Sequence, residues 1–585
     1  MSKKIAELKT ILMQDDASKW VSHLWNTYNN QRRGKIEEWL ELRNYIFATD
    51  TTTTSNASLP WKNSTTIPKL CQIRDNLHSN YISALFPNDD WLKWQGYGKN
   101  DSIKKKAKAI ESYMANKCRE GHFRTEMSKL LYDYIDYGNA FCTTTFEASY
   151  KELTDGTIVP DYIGPRVKRI SPMDIVFNPL ADSFIESFKI VRSVKTLGEL
   201  KRLAQDNPEE KFWTSAIERR ERLRASFGGY SIEDFDKAQG YSVDGFGNLY
   251  EYYMGDFIEI LEFYGDYHDH ESGDLHTNRI ITVVDRALEV RNEAIPSWMG
   301  HAPIYHVGWR NRPDNLWAMG PLDNLVGMQY RIDHLENLRA DAMDLIVHPP
   351  LKIIGEVEQF VWGPGAEIHL DEGGDVQEVA KNLNNLMMAE NDISVYEAKM
   401  EMYAGAPREA MGLRTPGEKT AFEVQQLQNA AGRIFQEKIT SFEIELLERA
   451  LNSMLEIARR NMDTSDVIRV MDDDIGVREF LTITKADITA NGKIRPVGAR
   501  HYAKQAQDLQ NIIGIFNSPL GQMIAPHTSG KSMMKFVDDV TGLKGYEVFR
   551  PNVAIAEQQE TQTLANQAQE DVAVQGAVPG EGALQ

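Results

Sequence analysis

Between residues 320 and 347 apolar side chains recur every three or four positions: Leu322, Leu325, Met328, Ile332, Leu335, Leu338, Ala342 and Ile346. That period places them on one face of an α-helix, with Asp323, Arg331, Asp333, Glu336 and Asp341 largely elsewhere. Such a helix is about 40 Å long at ~1.5 Å per residue. His348-Pro349-Pro350 ends it, because proline donates no backbone bond and restricts the residue before it. A compact strand-and-turn insert follows over 351–379, with turns at Gly363-Pro364-Gly365 and Gly373-Gly374. A second helix is expected over 380–403, then a glycine- and proline-bearing loop over 405–417. After it comes the longest helix, 419–461, roughly 60 Å long. A pair of stiff rods bridged by a small cap and followed by a hinge is the constraint any fold must satisfy.

Upstream, Trp20, Leu24, Tyr28, Trp39, Leu40, Leu42, Tyr45 and Ile46 recur at roughly helical spacing within residues 1–48. A polar, threonine-rich loop is expected over 50–58 and a helix over 66–85, with Pro68 near its start. Phe86-Pro87-Asn88-Asp89-Asp90 breaks the chain before two helices at about 101–119 and 122–138. From about 139 to 310 short alternating segments (140–146, 165–170, 258–264 and 280–284 among them) read as strands. Helical inserts are expected near 197–206 and 208–225. Residues 465–500 read as short strands and 499–548 as further helix. After about 556 the chain is Gln, Ala, Glu and Gly with little aliphatic bulk, which predicts a mobile tail. For 585 residues this gives roughly three to five structural units in a mainly helical α+β class.

Several kinds of chemistry are disfavoured. Cys71, Cys118 and Cys142 are odd in number and widely spaced, which argues for reduced, mostly buried thiols rather than a disulfide framework or a zinc site. No run approaches the ~18 to 20 apolar residues of a membrane span, and no signal peptide is visible. Asn56-Ala57-Ser58 and Asn63-Ser64-Thr65 are then chance matches to the glycosylation triplet. The net charge of −20 is opposite to that of a protein gripping duplex DNA over its whole surface. On charge alone it is best read as keeping the protein soluble, though it does not exclude a wall that passes DNA without retaining it. Ser529-Gly530-Lys531-Ser532 resembles the end of a phosphate-binding loop, but Ala525 stands where the first glycine is required. Asp266, His268, Asp269, His270, Glu271, Asp274 and His276 are rich in metal-ligating types, yet they lie between expected strands and suit a solvated hairpin turn.

A co-linear set of motifs carries a family resemblance. Trp61-Lys62-Asn63-Ser64, Leu85-Phe86-Pro87, Tyr137-Gly138-Asn139 and Ile170-Ser171-Pro172-Met173-Asp174 come first. Ala302-Pro303-Ile304-Tyr305-His306-Val307-Gly308-Trp309 and Trp317-Ala318-Met319-Gly320-Pro321-Leu322-Asp323 follow, then a helix bearing Gln329, Leu335 and Asn337. The sharpest match is Gly417-Glu418-Lys419-Thr420-Ala421-Phe422-Glu423-Val424 at the start of the longest helix. In this order, over about residues 20–550, the chain resembles the portal, or head-to-tail connector, proteins of short-tailed bacteriophages. Ala318 departs from the glycine-rich start of many relatives, which leaves the helix start open.

The resemblance implies a ring of about twelve copies at one capsid vertex, passing double-stranded DNA during packaging and ejection. It implies a portal-type fold with the wing over 1–316, stem helices over 317–347 and 380–404, and the clip over 348–379. The tunnel loop then spans 405–418, the long helix and return to the wing 419–495, the helical crown 496–555 and a flexible tail 556–585. Leu322, Leu325, Met328, Ile332, Leu335, Leu338 and Ile346 become stem packing residues, facing the partner helix or the next subunit. Arg408, Arg414 and Lys419 are candidates for transient phosphate contact, or are solvated or paired with Glu409 and Glu418. Phe360 and Trp362 are candidate clip anchors for the terminase and then the tail adaptor, or form the clip's own core. Other implied partners are further copies of the chain and the major capsid protein. The expected location is the virion after assembly in the host cytoplasm, with no membrane, cofactor, metal or catalysis. Two other readings stand beside this one: a metal-dependent nucleic-acid-processing enzyme using the 266–276 hairpin, and a protein-only head–tail scaffold or adaptor.

Overall fold

A computed structural model describes residues 17–496 apart from 60–61, 87–90, 97–100, 153–157, 207, 209, 227–255, 269–272, 287, 348, 350, 356–373, 379–383, 405–434, 463–464, 472–477 and 490–491. The expected crown, the tail, residues 529–532, the 405–417 loop and the first part of the longest helix lie outside the described residues. The described helices are α1 (Ala17–Gln31), α2 (Arg33–Phe47), α3 (Lys69–Leu85), α4 (Asp101–Glu120), α5 (Phe123–Asp136), α6 (Leu197–Asp206), α7 (Lys211–Ser226), α8 (Val326–Val347) and α9 (Asn384–Tyr403). Then come α10, described over 435–461, and α11 (Lys485–Ile488). The protein is of mixed α+β class, and among the described residues its sheets close no barrel.

Five antiparallel strands form the larger sheet, in the order β4 (Ile175–Phe177), β5 (Lys189–Thr196), β6 (Phe257–His268), β7 (Leu275–Val284) and β8 (Leu288–Ala294). Strand alternation sends Leu261, Phe263, Ile281 and Val283 to one face, where Val21 and Trp25 of α1 cover them. Ile258, Ile260 and Val284 face the other way, against Leu200 of α6 and Trp213, Ala216 and Ile217 of α7. Burial on both faces explains why the central strands read as near-continuous apolar runs. The turn from β7 to β8 holds Asp285 and Arg286 at φ of 51° and 56°, a conformation that non-glycine residues rarely adopt. Two buried ion pairs secure it: Arg220 to Asp285 at 3.1 Å and Arg286 to Glu259 at 2.8 Å. Removing one partner would leave a buried charge uncompensated, so each pair fixes geometry more than it adds net stability.

A second sheet has the order β3 (Ile158–Ile170), β2 (Asn139–Glu152) and β9 (Ile304–Gly308). β2 runs well beyond the 140–146 read from alternation, because it pairs with β3 along almost its whole length. An aromatic cluster of Phe141, Phe177 and Phe184 fills the space between the two sheets. Two smaller sheets join β10 (Arg310–Arg312) to β11 (Asn315–Met319) and β12 (Leu351–Ile354) to β13 (Asp375–Glu378). The expected loop over 50–58 is instead two short 3-10 turns, Thr51–Thr53 and Ser55–Ser58, with the Asp50 carboxylate accepting from the Thr52 N–H at 2.9 Å.

Helices α3, α5 and α10 pack beside the second sheet through Tyr81, Tyr134, Phe435 and Phe442. The Trp309 indole donates to the Tyr81 hydroxyl at 3.0 Å. α10 contains one turn of π-helix, Glu443–Leu447, which puts the adjacent residues Leu446 and Leu447 both in the core. Two contact-defined units divide the chain: residues 1–465 with 484–496, and residues 466–483 with 497–585. Within the first, Leu92–Gly96 (β1) pairs antiparallel with Gly492–Pro496 (β16), residues some 400 positions apart in the chain. The described part of the second is the two-stranded sheet of β14 (Ser465–Met471) and β15 (Arg478–Thr484).

Gly138, between α5 and β2, sits at φ 68°, and a Cβ there would come within 2.3 Å of the Gly320 nitrogen. Its carbonyl accepts from the Trp309 N–H at 2.8 Å, and the next residue, buried Asn139, exchanges two hydrogen bonds with the Ala318 backbone. Gly138→Ala should therefore destabilise the protein by on the order of 3 kcal/mol, read as a lowered calorimetric melting temperature. Gly198→Ala, in α6 with nothing within 4 Å of the added Cβ, should leave the melting temperature unchanged or slightly raised.

Candidate assembly surface

The residues that the spacing argument singled out converge on α8 and α9. α8 starts at Val326 rather than 320, because Asp323 accepts from the Gly320 N–H at 3.1 Å and pairs with Lys35 at 3.0 Å, holding the preceding residues in turns. Leu322 and Leu325 lie in those turns and are completely buried. Ile332 and Leu335, on the helix, are buried, while Met328 and Ile346 are half-buried. Leu338 is 43% exposed. β12 and β13 reverse the chain, and α9 returns along α8, with the Arg339 guanidinium 4.0 Å from the Glu390 carboxylate. Phe360 and Trp362 of the insert, and Arg408, Arg414 and Lys419, lie outside the described residues.

The face of α8 turned toward the rest of the chain is polar in its most buried row. Gln329, Asp333, Asn337 and Asp341 are each four residues apart, so they stack along one side of the helix. Together they hold the segment 62–70. Gln329 donates to the Ile67 carbonyl at 2.5 Å and accepts from the Leu70 N–H at 3.3 Å. Asp333 accepts from the Ile67 N–H and the Thr66 hydroxyl, both at 3.0 Å. Asn337 exchanges two bonds of 2.8 Å with the Thr65 backbone. Asp341 accepts from the Asn63 N–H at 3.1 Å and from its side-chain amide at 2.8 Å. At the foot of the arm Lys69 pairs with Glu401 at 2.6 Å, and both side chains are buried. Spacing alone places Asp333 among the solvated residues; nothing local indicates that a distant extended segment lies against it.

Burial of Asp333 raises its carboxyl to about 6, against the lowering effect of the bonds it accepts from Ile67, Thr66 and Gln329. Beside this polar row, Ile332 and Leu335 are buried, and several other apolar residues of the arm face solvent. On α8 these include Met343 at 48% exposure and Val347 at 67%. On α9 Met387 and Met388 are 72% and 71% exposed, with Val395 and Met402 also open. Flexible, polarisable methionines concentrate where surfaces must adapt to a partner. Large apolar side chains exposed along one helix pair make it a candidate surface for association.

Elsewhere, the 266–276 hairpin is partly described: the Asp266 carboxylate accepts from the Asn278 N–H at 2.8 Å, and His268 ends β6 opposite Leu275. Among the described residues no three His, Cys, Asp or Glu side chains come together, and no helix is long and apolar enough to cross a membrane. Two motif pairs of the resemblance meet in space. Lys62 and Asn63 lie on Asp341, with the next-but-one residue Thr65 on Asn337, and Gly138-Asn139 lies on 318–320. No protein-family model matches the chain, and no curated protein matches it.

The Asp333 row yields a paired prediction. Asp333→Ala orphans the Ile67 N–H and should destabilise the protein by roughly 2–3 kcal/mol. Asp333→Asn keeps an acceptor for Ile67 and removes the buried charge, so it should match or exceed the parent at pH 7. Because the folded-state value lies above the ordinary 3.8, the native protein binds this proton first as pH falls. The parent should therefore regain ground on Asp333→Asn as pH drops from 7 through about 6 toward 4. Melting temperatures of both variants and the parent across that range are the measurement; a gap between parent and Asp333→Asn that does not change with pH would contradict the assignment.

Proposed function

We propose that this protein is a portal-type subunit: copies assemble side by side through the α8–α9 arm into a ring of about twelve, whose bore passes double-stranded DNA at a capsid vertex. The observation that carries the reading is the arm itself, two long antiparallel helices that meet the body through a polar row and leave Leu338, Met343, Val347, Met387 and Met388 among the apolar residues uncovered. Apolar side chains left exposed on a helix pair are buried when neighbours pack against them. Repetition about an axis provides them, since each arm then packs between two others by heterologous contacts that close on themselves. The ordered motifs from Trp61 to Val424 support the same conclusion.

On this reading α8 and α9 are the stem, and the β12–β13 pair with the residues between them is the clip, which docks the terminase and later the tail adaptor. The body of sheets and helices is the wing, seated against the major capsid protein. Helices suit a channel wall because their backbone polar groups are satisfied internally even where one side meets water. The net charge of −20 limits DNA retention, leaving a few cations per subunit for weak, sequence-independent contact with phosphates. The protein does no chemistry of its own, and the energy for packaging comes from a separate nucleotide-hydrolysing motor.

Light scattering on the purified full chain should give a mass about twelve times that of one copy, and negative-stain images should show rings with a duplex-sized hole. Replacing Met387 and Met388 together by glutamate should abolish rings and leave the melting temperature of the monomer nearly unchanged, since both side chains are exposed in the single chain. A strictly monomeric parent protein, or intact rings of the double variant, would overturn the stem assignment.

A further inference from the structure

A second concave site lies away from the arm, where the corner between α1 and α2 meets β4 and the β10–β11 hairpin. It is a cleft of about 190 Å³. Tyr28, Phe177 and Trp317 supply aromatic walls, and Arg32, Lys35 and Arg312 bring three cationic side chains to its lining. No carboxylate lines it, in a chain with twenty more acidic than basic residues.

The three cations have different tasks. All five N–H groups of Arg32 are committed: to Asn29, and to the carbonyls of Pro172, Met173 and Ile175. Arg32 therefore offers a fixed positive charge and a flat guanidinium, 5.7 Å from the Trp317 ring, but no donor. Lys35 is held by Asp323 and Glu38. Arg312 is exposed at the rim on β10, where its backbone pairs with Asn315, and no hydrogen bond or ion pair engages its side chain among the described residues. Its planar fork is the group able to close on an oxyanion. Gln31 and Asn315 add amides beside it.

A bare inorganic anion is poorly served here, because it meets one available guanidinium and otherwise aromatic walls that cannot replace its water. A neutral ring gains the walls and leaves the positive charge unused. We propose that the cleft binds a flat aromatic ring carrying one anionic group, the chemistry of an aryl phosphate or a mononucleotide. The ring lies against Tyr28 and Trp317, and the anionic group meets Arg312 over the field of Arg32. The volume is below the ~300–1,000 Å³ of sites for larger ligands, which limits the enclosed part of the occupant to one flat ring system. The site lies within one chain, so the proposal stands or falls independently of ring assembly.

Calorimetric titration of the full chain tests it, with phenyl phosphate and adenosine monophosphate as probes and inorganic phosphate and adenosine as controls. Saturable binding of at least one probe, at least tenfold tighter than either control, is the expected result. Arg312→Ala should weaken that binding about tenfold through loss of one charge-assisted contact, and Arg312→Lys should recover part of it. Gln31→Glu, which puts a carboxylate into the lining of the cleft at an exposed position, should weaken it at least as much. The proposal is overturned if neither probe binds at millimolar concentration, if Arg312→Ala binds like the parent, or if inorganic phosphate binds as tightly as phenyl phosphate. A short DNA duplex, whose bases are already stacked, should not compete with the probes; competition would assign the cleft to strand backbone instead and overturn the ring-binding claim.

Discussion

The row of Gln329, Asp333, Asn337 and Asp341 sets the geometry on which the rest depends. Each side chain spends its hydrogen-bonding capacity on the backbone or side chains of residues 62–70. Backbone groups buried without partners are expensive, so an extended segment packed on a helix must be met by polar side chains at matching intervals. The four-residue repeat does this because it keeps the side chains on one line of the helix while the strap runs beside it. The consequence reaches outward. A helix that faces its own body with amides and carboxylates leaves apolar residues for other contacts, and here Leu338, Met343 and Val347 are open to solvent while Ile332 and Leu335 are buried.

The body behind the arm combines directed polar junctions with apolar clusters. Residues 92–96 and 492–496 pair across most of the chain, Asn139 ties the second sheet to the approach to α8, and Arg32 joins the α1–α2 corner to the carbonyls of Pro172, Met173 and Ile175 at the start of β4. These are polar contacts of fixed direction, whereas the apolar clusters on either side of the larger sheet supply undirected burial. The distinction matters on the proposed reading, in which each subunit presents a stiff post at a defined angle. Burial drives collapse, but hydrogen bonds of buried side chains decide which of many compact arrangements is reached.

Much of the architecture was legible in the order of residues. Helical spacing locates α3, α5, α8 and α9 to within a few residues, and alternation finds the centres of β2, β6 and β7. The boundaries were less legible. The apolar period continues back to Leu322, yet the helix begins at Val326 because Asp323 is claimed by Gly320 and Lys35. Of the residues expected to pack the stem, Ile332 and Leu335 are buried within the chain, whereas Leu338 is exposed in the single copy. Period alone does not tell a face buried in one chain from a face kept for another.

What the sequence determined by itself was local: where the backbone becomes helical or extended, where proline and glycine stop it, and that two rods flank a small insert. Those outcomes follow from spacing and steric rules acting within a few residues. Only the tertiary structure decided that Asp333 is a buried acceptor rather than a solvated charge, that the arm meets its body through polar groups, and that Arg32, Trp317 and Arg312 border one cleft. Each of those depends on segments brought together from distant parts of the chain. A residue's own neighbours in sequence carry no record of what will be folded against it.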